Sequence, residues 1–414
     1  MKYGIRKIFA LGLCGLLAAE GVAFAQVDQS QLNQIKDQIA VLQSKMANIE
    51  TGSSAYVPPA EGEEKGFFDD VQVGGHMDVQ YNQNLTRGGN AIAGGNTGRI
   101  FDTDRESFTV NATEINVTKA ANPEGGAGFR FDVLMGEDAQ VVNGDGAAAD
   151  KFDLQQAYIE YTQPLGMFAD NEILPQSINL KAGRFVTLAG LEVIESQNNW
   201  NASRSFTFGL AIPFVHTGVR SNFKMFNEAL DIYLGMVNGW DNAVDNNKDK
   251  TLESAIGYKP LENVSMFHTI YWGHEGNDAS GNAAGGSRFL NTNVMTVNLT
   301  EALSVAGEVN IGNQRRASAT MENVQWYSFA GYARYQLAEK WALAYRGELF
   351  RDQELFRTAL DRTIWSQTFT LEHNLADNLI TRLEYRYDKA DNLNAFGGDS
   401  SQQTIGAQVL YLIG

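Results

Sequence analysis

The stretch that indicates the fold is LSVAGEVNI, residues 303–311, in which apolar and polar residues alternate. Side chains of an extended strand point alternately to its two faces. The two sets are apolar Leu303, Val305, Val309 and Ile311, and polar Ser304, Glu308 and Asn310. Similar stretches of about ten residues recur from Val71 to the C-terminus, and strands of about that length can cross a bilayer at a tilt of roughly 45°. This rhythm predicts an all-β protein, a transmembrane antiparallel β-barrel.

The alternation predicts sixteen strands, an even number as in single-chain bacterial barrels. They lie at roughly 71–82, 106–119, 126–136, 153–162, 178–187, 212–224, 229–238, 253–259, 264–273, 289–299, 302–312, 324–337, 341–351, 363–373, 379–388 and 403–413. Connections after odd-numbered strands are long, and most after even-numbered strands are short, such as Thr300-Glu301. Because such barrels have short periplasmic turns and long outer loops, this pattern predicts both termini on the periplasmic side.

The charged face of these strands is expected to line the lumen. In strand 379–388, Leu383 alternates with Arg382 and Glu384. An Arg or Lys on the lipid face would cost roughly 2–4 kcal/mol at mid-membrane, so the charged set must point inward. A soluble β-sandwich is the weaker alternative, because it would bury the arginines. The predicted lumen residues are Arg334, Arg346, Glu348, Arg382, Glu384 and Arg386.

The connection at residues 188–211 is unlike a surface loop. It carries large apolar residues that would be costly to expose in an outer loop: Leu191, Val193, Ile194, Trp200, Phe206, Phe208 and Leu210. We expect it to fold into the barrel and to build a pore constriction from Glu192, Glu195 and Arg204 against the lumen wall. The alternative is an outer loop that packs on neighbouring loops or on a partner subunit.

The N-terminal 66 residues divide into three predicted segments ahead of a barrel at 67–414. Residues 1–25 resemble a secretory signal peptide, with Lys2, Arg6 and Lys7 before an apolar core and a cleavage site after Ala25. Residues 26–50 predict a coiled coil for oligomerisation, located in the periplasm, and 51–66 a flexible linker. A single amphipathic helix is the alternative to the coil. The coil's seam is Leu32, Ile35, Ile39, Leu42, Met46 and Ile49.

Composition and motifs exclude several classes of function. Cleavage would leave a chain with a net charge of −19 and no cysteine, which argues against nucleic acid as a partner and against thiolate chemistry. Asp245-x-Asn247-x-Asp249 begins like a calcium loop, but Lys250 stands where glycine is required and Ile256 where glutamate is required. No nucleophile elbow or phosphate loop is present. We therefore expect neither an enzyme, a cofactor nor a metal site.

Two stretches resemble the OmpL-like β-barrel porin family of Gram-negative outer membranes. They are GRFVTLAGLEVIESQNNWNASRSFTFGLAIPFVHTGVR at 183–220 and VNGWDNAVDNNKDKT at 237–251. The residues that carry the resemblance are Gly183-Arg184-Phe185, Gly190, Glu192, Asn201, Arg204-Ser205, Pro213, His216-Thr217-Gly218-Val219 and Asn238-Gly239-Trp240-Asp241-Asn242. The resemblance extends more weakly over the barrel and implies a diffusion pore; porins with a periplasmic coil ahead of the barrel, similar to this layout, are trimers.

Together these observations predict an outer-membrane porin that allows passive diffusion of small hydrophilic solutes and ions. Its partners would be outer-membrane lipid, the permeant solutes and two further copies of the chain. Ion selectivity stays open, with a slight lean to anions from the inward arginines. Two alternatives remain: a channel specific for a sugar or phosphate, and a plugged structural barrel that links the outer membrane to the periplasm.

Overall fold

The computed structural model describes residues 70–86, 95–143, 150–166, 173–226, 229–275, 286–317, 322–358 and 360–414. Within them the chain forms a closed ring of sixteen antiparallel strands in sequence order. This confirms the predicted fold class and strand number. The predicted signal peptide, coiled coil and linker lie outside the described residues.

The strands are long and follow one another with few interruptions. They are β1 (Gln72–Asn84), β2 (Ser107–Lys119), β3 (Gly126–Met135), β4 (Phe152–Pro164), β5 (Ser177–Val186), β6 (Val215–Met225), β7 (Leu230–Val237), β8 (Thr251–Leu261), β9 (Val264–His274), β10 (Ser287–Asn298), β11 (Leu303–Gln314), β12 (Val324–Ala338), β13 (Trp341–Asp352), β14 (Thr363–Ala376), β15 (Leu379–Ala390) and β16 (Ser401–Ile413). A short helix, α1 (Glu137–Val142), follows β3. No predicted strand end lies more than three residues from the observed one.

The first and last strands close the ring. β1 pairs with β16 over a register that runs from Gly75 opposite Ile413 to Asn84 opposite Thr404. Closure leaves no strand edge with unpaired N–H and C=O groups, which a bilayer could not hydrate. Among the described residues no helix is long and apolar enough to cross a membrane.

The two faces of the wall differ as the alternation requires. On β11, Glu308 and Asn310 point inward and are 1% and 0% exposed, whereas Val309 and Ile311 point outward and are about two-fifths exposed. The same division holds on β13, where Arg346 is buried and Leu349 is exposed. The outer face is therefore an apolar surface suited to lipid, and the polar groups are gathered inside.

One patch of the outer face departs from this rule. His268 of β9 lies opposite Asn293 of β10, and both point outward near the middle of their strands. With Asn291 they form a ring of contacts: His268 Nδ1 to Asn293 Oδ1 at 2.8 Å, Asn293 Nδ2 to Asn291 Oδ1 at 2.6 Å, and Asn291 Nδ2 to His268 Nε2 at 3.4 Å. These three residues, the outer-face triad, satisfy one another where lipid offers no partner.

The assignment of faces can be tested on β15. Leu383 points outward and is 56% exposed, so Leu383→Arg should lower the free energy of unfolding by roughly 2–4 kcal/mol. The matched control is Leu393→Arg, because Leu393 is 74% exposed in the connection after β15 and should tolerate the charge. Urea titration of protein refolded into lipid vesicles, followed by heat-modifiable electrophoretic mobility, measures both. Equal stability of the two variants would contradict the assignment.

Candidate functional site

The chain between β5 and β6 enters the barrel and does not remain on its outer rim. The Leu188 N–H donates to the Tyr271 hydroxyl at 3.0 Å, and the Leu191 N–H donates to Glu308 Oε2 at 2.9 Å. Tyr271 and Glu308 are inward-facing residues of β9 and β11. Gly190 permits this entry, because its φ is +88° and a Cβ there would lie 2.5 Å from the Ile212 side chain. Residues 188–211 are called the inner segment below.

The inner segment reaches from one wall of the barrel to the opposite one. Gln155 of β4 donates to Glu195 Oε1 at 2.7 Å. On the other side, the Trp200 ring packs edge-on against Tyr332 of β12, with centroids 6.4 Å apart. β4 and β12 are eight strands apart in a ring of sixteen, so they stand on opposite sides of the lumen. The segment therefore crosses the interior.

Arginines of β13 and β15 hold the backbone carbonyls of the inner segment. Arg346 donates to the Ser203 carbonyl at 2.6 Å, and Arg386 donates to the Arg204 carbonyl at 2.7 Å. Arg382 donates to two carbonyls, those of Ser196 at 2.9 Å and Asn199 at 2.8 Å. A guanidinium offers five donors in a fixed fork, so one side chain can bind several carbonyls while it also pairs with a carboxylate.

Carboxylates of the wall accept the segment's N–H groups. Glu384 accepts from Ala202 and Ser203, at 2.7 and 3.0 Å, and Glu348 accepts from Thr207 at 3.0 Å. Buried backbone groups without partners would each cost about 1–3 kcal/mol. The charged inner wall thus supplies the hydrogen bonds that an irregular segment inside a barrel requires.

Each predicted lumen arginine also has a carboxylate partner. The closest pairs are Arg346 with Glu192 at 2.7 Å, Arg382 with Glu372 at 2.8 Å, Arg386 with Asp388 at 2.8 Å, and Arg334 with Glu372 at 2.6 Å. Each guanidinium therefore has an ion-pair partner, and Arg382 and Arg334 share Glu372. The arginines on which the lean to anions rested thus stand in ion pairs, and the ion selectivity stays a prediction.

Arg204 turns toward its own segment. Its guanidinium donates to the Ile194 carbonyl, to the Val193 carbonyl at 3.2 Å and to Ser196 Oγ at 3.0 Å. Asp138 of α1 lies 3.6 Å from the same guanidinium. Arg204 thus ties together the two halves of the inner segment, and its donors point at these groups.

Glu195 meets carboxylates and not the arginines of β13 and β15. Glu195, Glu114 of β2 and Asp132 of β3 are all buried, and one carboxylate oxygen from each lies within 4.8 Å of the other two. The structure therefore brings Glu192, Arg346, Glu348 and Arg386 together and puts Glu195 in a different, acidic environment. Sequence reasoning missed Glu114 and Asp132, although their inward position on alternating strands was the available signal.

The apolar side chains of the segment build a core inside the outer end of the barrel. Phe206, Phe208 and Leu210 are buried, and Phe208 packs on Phe214 with ring centroids 5.2 Å apart. The last turn of the segment is a π-helix, Thr207–Ala211. The Ala211 carbonyl accepts from the Trp326 indole at 3.0 Å. These rings are thus shielded from water, whereas an exposed outer loop would have left their apolar surface in contact with it.

A closed sixteen-strand ring with an apolar outer face and a charged inner face defines an outer-membrane β-barrel. The family described as "Putative beta-barrel porin-2, OmpL-like" matches residues 70–413, so this chain belongs to that family of porins. The family confirms the resemblance of 183–220 and 237–251, and membership of a porin family agrees with the prediction that the protein is not an enzyme.

Solved structures with the same fold are outer-membrane proteins, among them a channel and a porin. The outer membrane channel DcaP of Acinetobacter baumannii has a TM-score of 0.57 at 10% identity, covering 83% of this chain and 96% of that one. The anion-selective porin from Comamonas acidovorans has 0.54 at 12%, covering 83% and 99%. OmpT of Vibrio cholerae, in its trimer form, has 0.51 at 11%, covering 83% and 98%. At these identities the likeness shows the fold alone. A comparison with curated protein sequences finds no match.

The pair Glu192–Arg346 should be worth more than a surface ion pair. Glu192→Gln and Arg346→Gln each leave a buried charge without its partner, and each should cost about 3–5 kcal/mol of unfolding free energy. The double variant should cost less than the sum, with a coupling of up to about 3 kcal/mol. The control cycle is Lys151 with Glu137, an exposed pair expected to contribute about 0–1 kcal/mol. Urea titration measures both cycles, and equal couplings would contradict a buried network.

Asp138 predicts a pH dependence of stability. Burial raises the pKa of its carboxyl to about 8, against the lowering effect of Arg204. Since the folded state then keeps a proton that the unfolded state loses above about pH 4, this contribution to the free energy of unfolding falls as the pH rises to about 8. Asp138→Asn should remove that part of the slope, whereas Asp150→Asn, at an exposed position, should keep it. Urea titrations at pH 5, 7 and 9 measure the slopes; an unchanged slope in Asp138→Asn would refute the assignment.

Proposed function

We propose that the protein is an outer-membrane channel for the passive diffusion of small hydrophilic solutes and ions, with a bore restricted by the inner segment. The observation that carries this proposal is the contact of the segment with opposite walls, at Gln155 and at Tyr332. A solute that crosses the barrel must pass through what the segment leaves open. The remaining opening would select solutes by their size and by the charge of the side chains that line it.

The constriction is assigned to Glu192, Glu195 and Arg204 together with Arg346, Arg382 and Arg386. In this group Glu195 differs from the others, because it stands among carboxylates and the arginines stand in ion pairs. Rings of charged side chains set ion preference in channels. The excess of negative charge on the Glu195 side supports a preference for cations, and an anion preference is the rival outcome.

We further infer that the channel is a trimer, assembled through its barrel walls and through the predicted coil at 26–50. The outer-face triad supports contact between walls, because polar groups at mid-membrane are more stable against protein than against lipid. The chain enters β1 at the end of the barrel that carries the short turns, which supports a periplasmic position for the predicted coil. OmpT, one of the structural neighbours, is described in a trimer form.

A plugged structural barrel is the second candidate, and one observation favours it. Arg346 and Arg386 are 0% and 1% exposed, although they lie on the inner face of a barrel. A freely hydrated lumen would expose such side chains. In this alternative the inner segment would close the lumen completely.

Single-channel conductance in a planar bilayer under a tenfold salt gradient tests the proposal. We expect stable steps in multiples of three and a reversal potential of the sign that denotes cation preference. Arg382→Gln should increase the conductance of each step, because it releases the carbonyls of Ser196 and Asn199. Arg316→Gln, at an exposed outer-loop position, is the control and should conduct like the unchanged protein.

Each result separates the candidates. A heat-modifiable, folded barrel that gives no steps, even as Arg382→Gln, would replace the channel with the plugged barrel. A reversal potential of the opposite sign would reject the cation preference. Single steps without grouping in threes would reject the trimer.

A further inference from the structure

The acidic group around Glu195 lies deep in the barrel, between the inner segment and the first three strands. Glu195 comes from the inner segment, Glu114 from β2 and Asp132 from β3, and all three side chains are buried. Arg130 is the cation next to them, 2.8 Å from Asp132. Three ionised carboxylates beside one guanidinium would carry an excess of negative charge, which is costly to bury without compensation.

A histidine without hydrogen-bond partners lies beside one member of this group, Glu114. His76 of β1 is 1% exposed, and neither of its ring nitrogens has a hydrogen-bond partner. Its Nδ1 lies 3.8 Å from Glu114 Oε2, which is also buried without a hydrogen-bond partner. A buried imidazole and a buried carboxylate oxygen that face each other at this distance are too far apart for a hydrogen bond. They are spaced to share an ion between them.

The geometry points to a buried site for one divalent transition-metal ion, such as Zn²⁺ or Mn²⁺, centred on Glu114, with His76 on one side of that carboxylate and Glu195 and Asp132 within 4.8 Å of it. Zn²⁺ binds imidazole nitrogen and carboxylate oxygen at about 2.0–2.2 Å, so two ligands of one ion lie at most about 4.4 Å apart. The observed 3.8 Å falls inside that limit, and the carboxylate separations of up to 4.8 Å need only a small closing movement.

The donor set decides the class of ion. Ca²⁺ and Mg²⁺ prefer oxygen ligands alone, whereas an imidazole with carboxylates suits Zn²⁺ and Mn²⁺. A divalent ion would offset the negative charge that these carboxylates carry when ionised. The Nε of Arg130 is bound to the two oxygens of Asp132 at 2.9 and 2.8 Å.

Neighbouring amides orient the ligands, as they do around established metal sites. Asn116 donates to Glu114 Oε1 at 3.1 Å, and Gln155 donates to Glu195 Oε1 at 2.7 Å. Gln156 donates to Asp132 Oδ2 at 2.6 Å. These bonds occupy one side of each carboxylate, and for Glu114 they leave Oε2 directed at His76.

The ion would fasten the inner segment to the side of the barrel formed by β1, β2 and β3. On the β13 and β15 side the segment is held by Arg346, Arg382 and Arg386, but Glu195 faces other carboxylates. A bound divalent ion turns that repulsion into a cross-link among four separate parts of the chain. The site goes beyond the proposed function and does not depend on conduction.

Binding is tested on the full-length, folded protein without an affinity tag, using ZnCl₂ in isothermal titration calorimetry and metal analysis after dialysis. We expect one Zn²⁺ per chain. His76→Gln and Glu114→Gln should each weaken binding at least about tenfold, since even the outer partners of metal ligands contribute about 10–100-fold. The matched control is His274→Gln, because His274 lies 3.3 Å from Asp249 in an exposed histidine–carboxylate pair.

A second measurement tests the cross-link and shows that the variants fold. Heat-modifiable mobility reports the folded barrel, and Zn²⁺ should raise the urea midpoint of the unchanged protein but not that of Glu195→Gln. The assignment is overturned if folded His76→Gln and Glu114→Gln retain the ion as well as His274→Gln does, or if no chain retains it. Retention of Ca²⁺ in place of Zn²⁺, unaffected by His76→Gln, would overturn the transition-metal class.

Discussion

Every polar group that the barrel turns away from lipid must find its partner inside the ring. A bilayer supplies neither water nor hydrogen bonds, so the strands satisfy their backbones by closure, and their charged side chains must be satisfied across the lumen. The inner segment meets this requirement, because its irregular backbone also needs hydrogen-bond donors and acceptors and pairs with the inward side chains. Arg382 and Glu384, two successive inward positions of β15, show the match. Arg382 donates to carbonyls of the inner segment, and Glu384 accepts from N–H groups of the same segment.

This mutual satisfaction joins the fold to the candidate site. The residues that make the inner wall polar are the same residues that position the inner segment, so the lumen cannot be changed at Arg346 without disturbing the segment at Glu192 and Ser203. Selectivity and stability are therefore coupled in this barrel. The acidic region near Glu195 lies apart from the arginine network, and it is where charge can be altered with the fewest consequences for that network.

The sequence predicted the fold well because alternation is a local property. The residues on either side of Glu308 are enough to assign each of them to the inner or the outer face of the strand. The lengths of the connections indicate which end of the barrel faces the periplasm. Which inward side chains pair with one another was less predictable. Arg346 and Glu192 are 154 positions apart, and the alternation along a strand indicates the face of a side chain but not its contact partner. Glu195 shows the limit: it was grouped with Arg204 from sequence proximity, yet its carboxylate meets Glu114 of a distant strand. The outer-face triad was missed because His268, Asn291 and Asn293 break the alternation locally.

The attachment of the inner segment to the last strands has a consequence for the order of assembly. The Ala202 N–H and its acceptor Glu384 are 182 positions apart, and Arg382 and Arg386 both lie on the penultimate strand. Such distant contacts form late, after the cost of closing the intervening loop. The inner segment therefore precedes its partners on β15 in the chain, and it can be held in place only after those partners have folded. A barrel that ended before its last hairpin would have an open seam in its wall and nothing to hold the inner segment. The strand that helps to close the wall therefore also carries the side chains that keep the passage narrow.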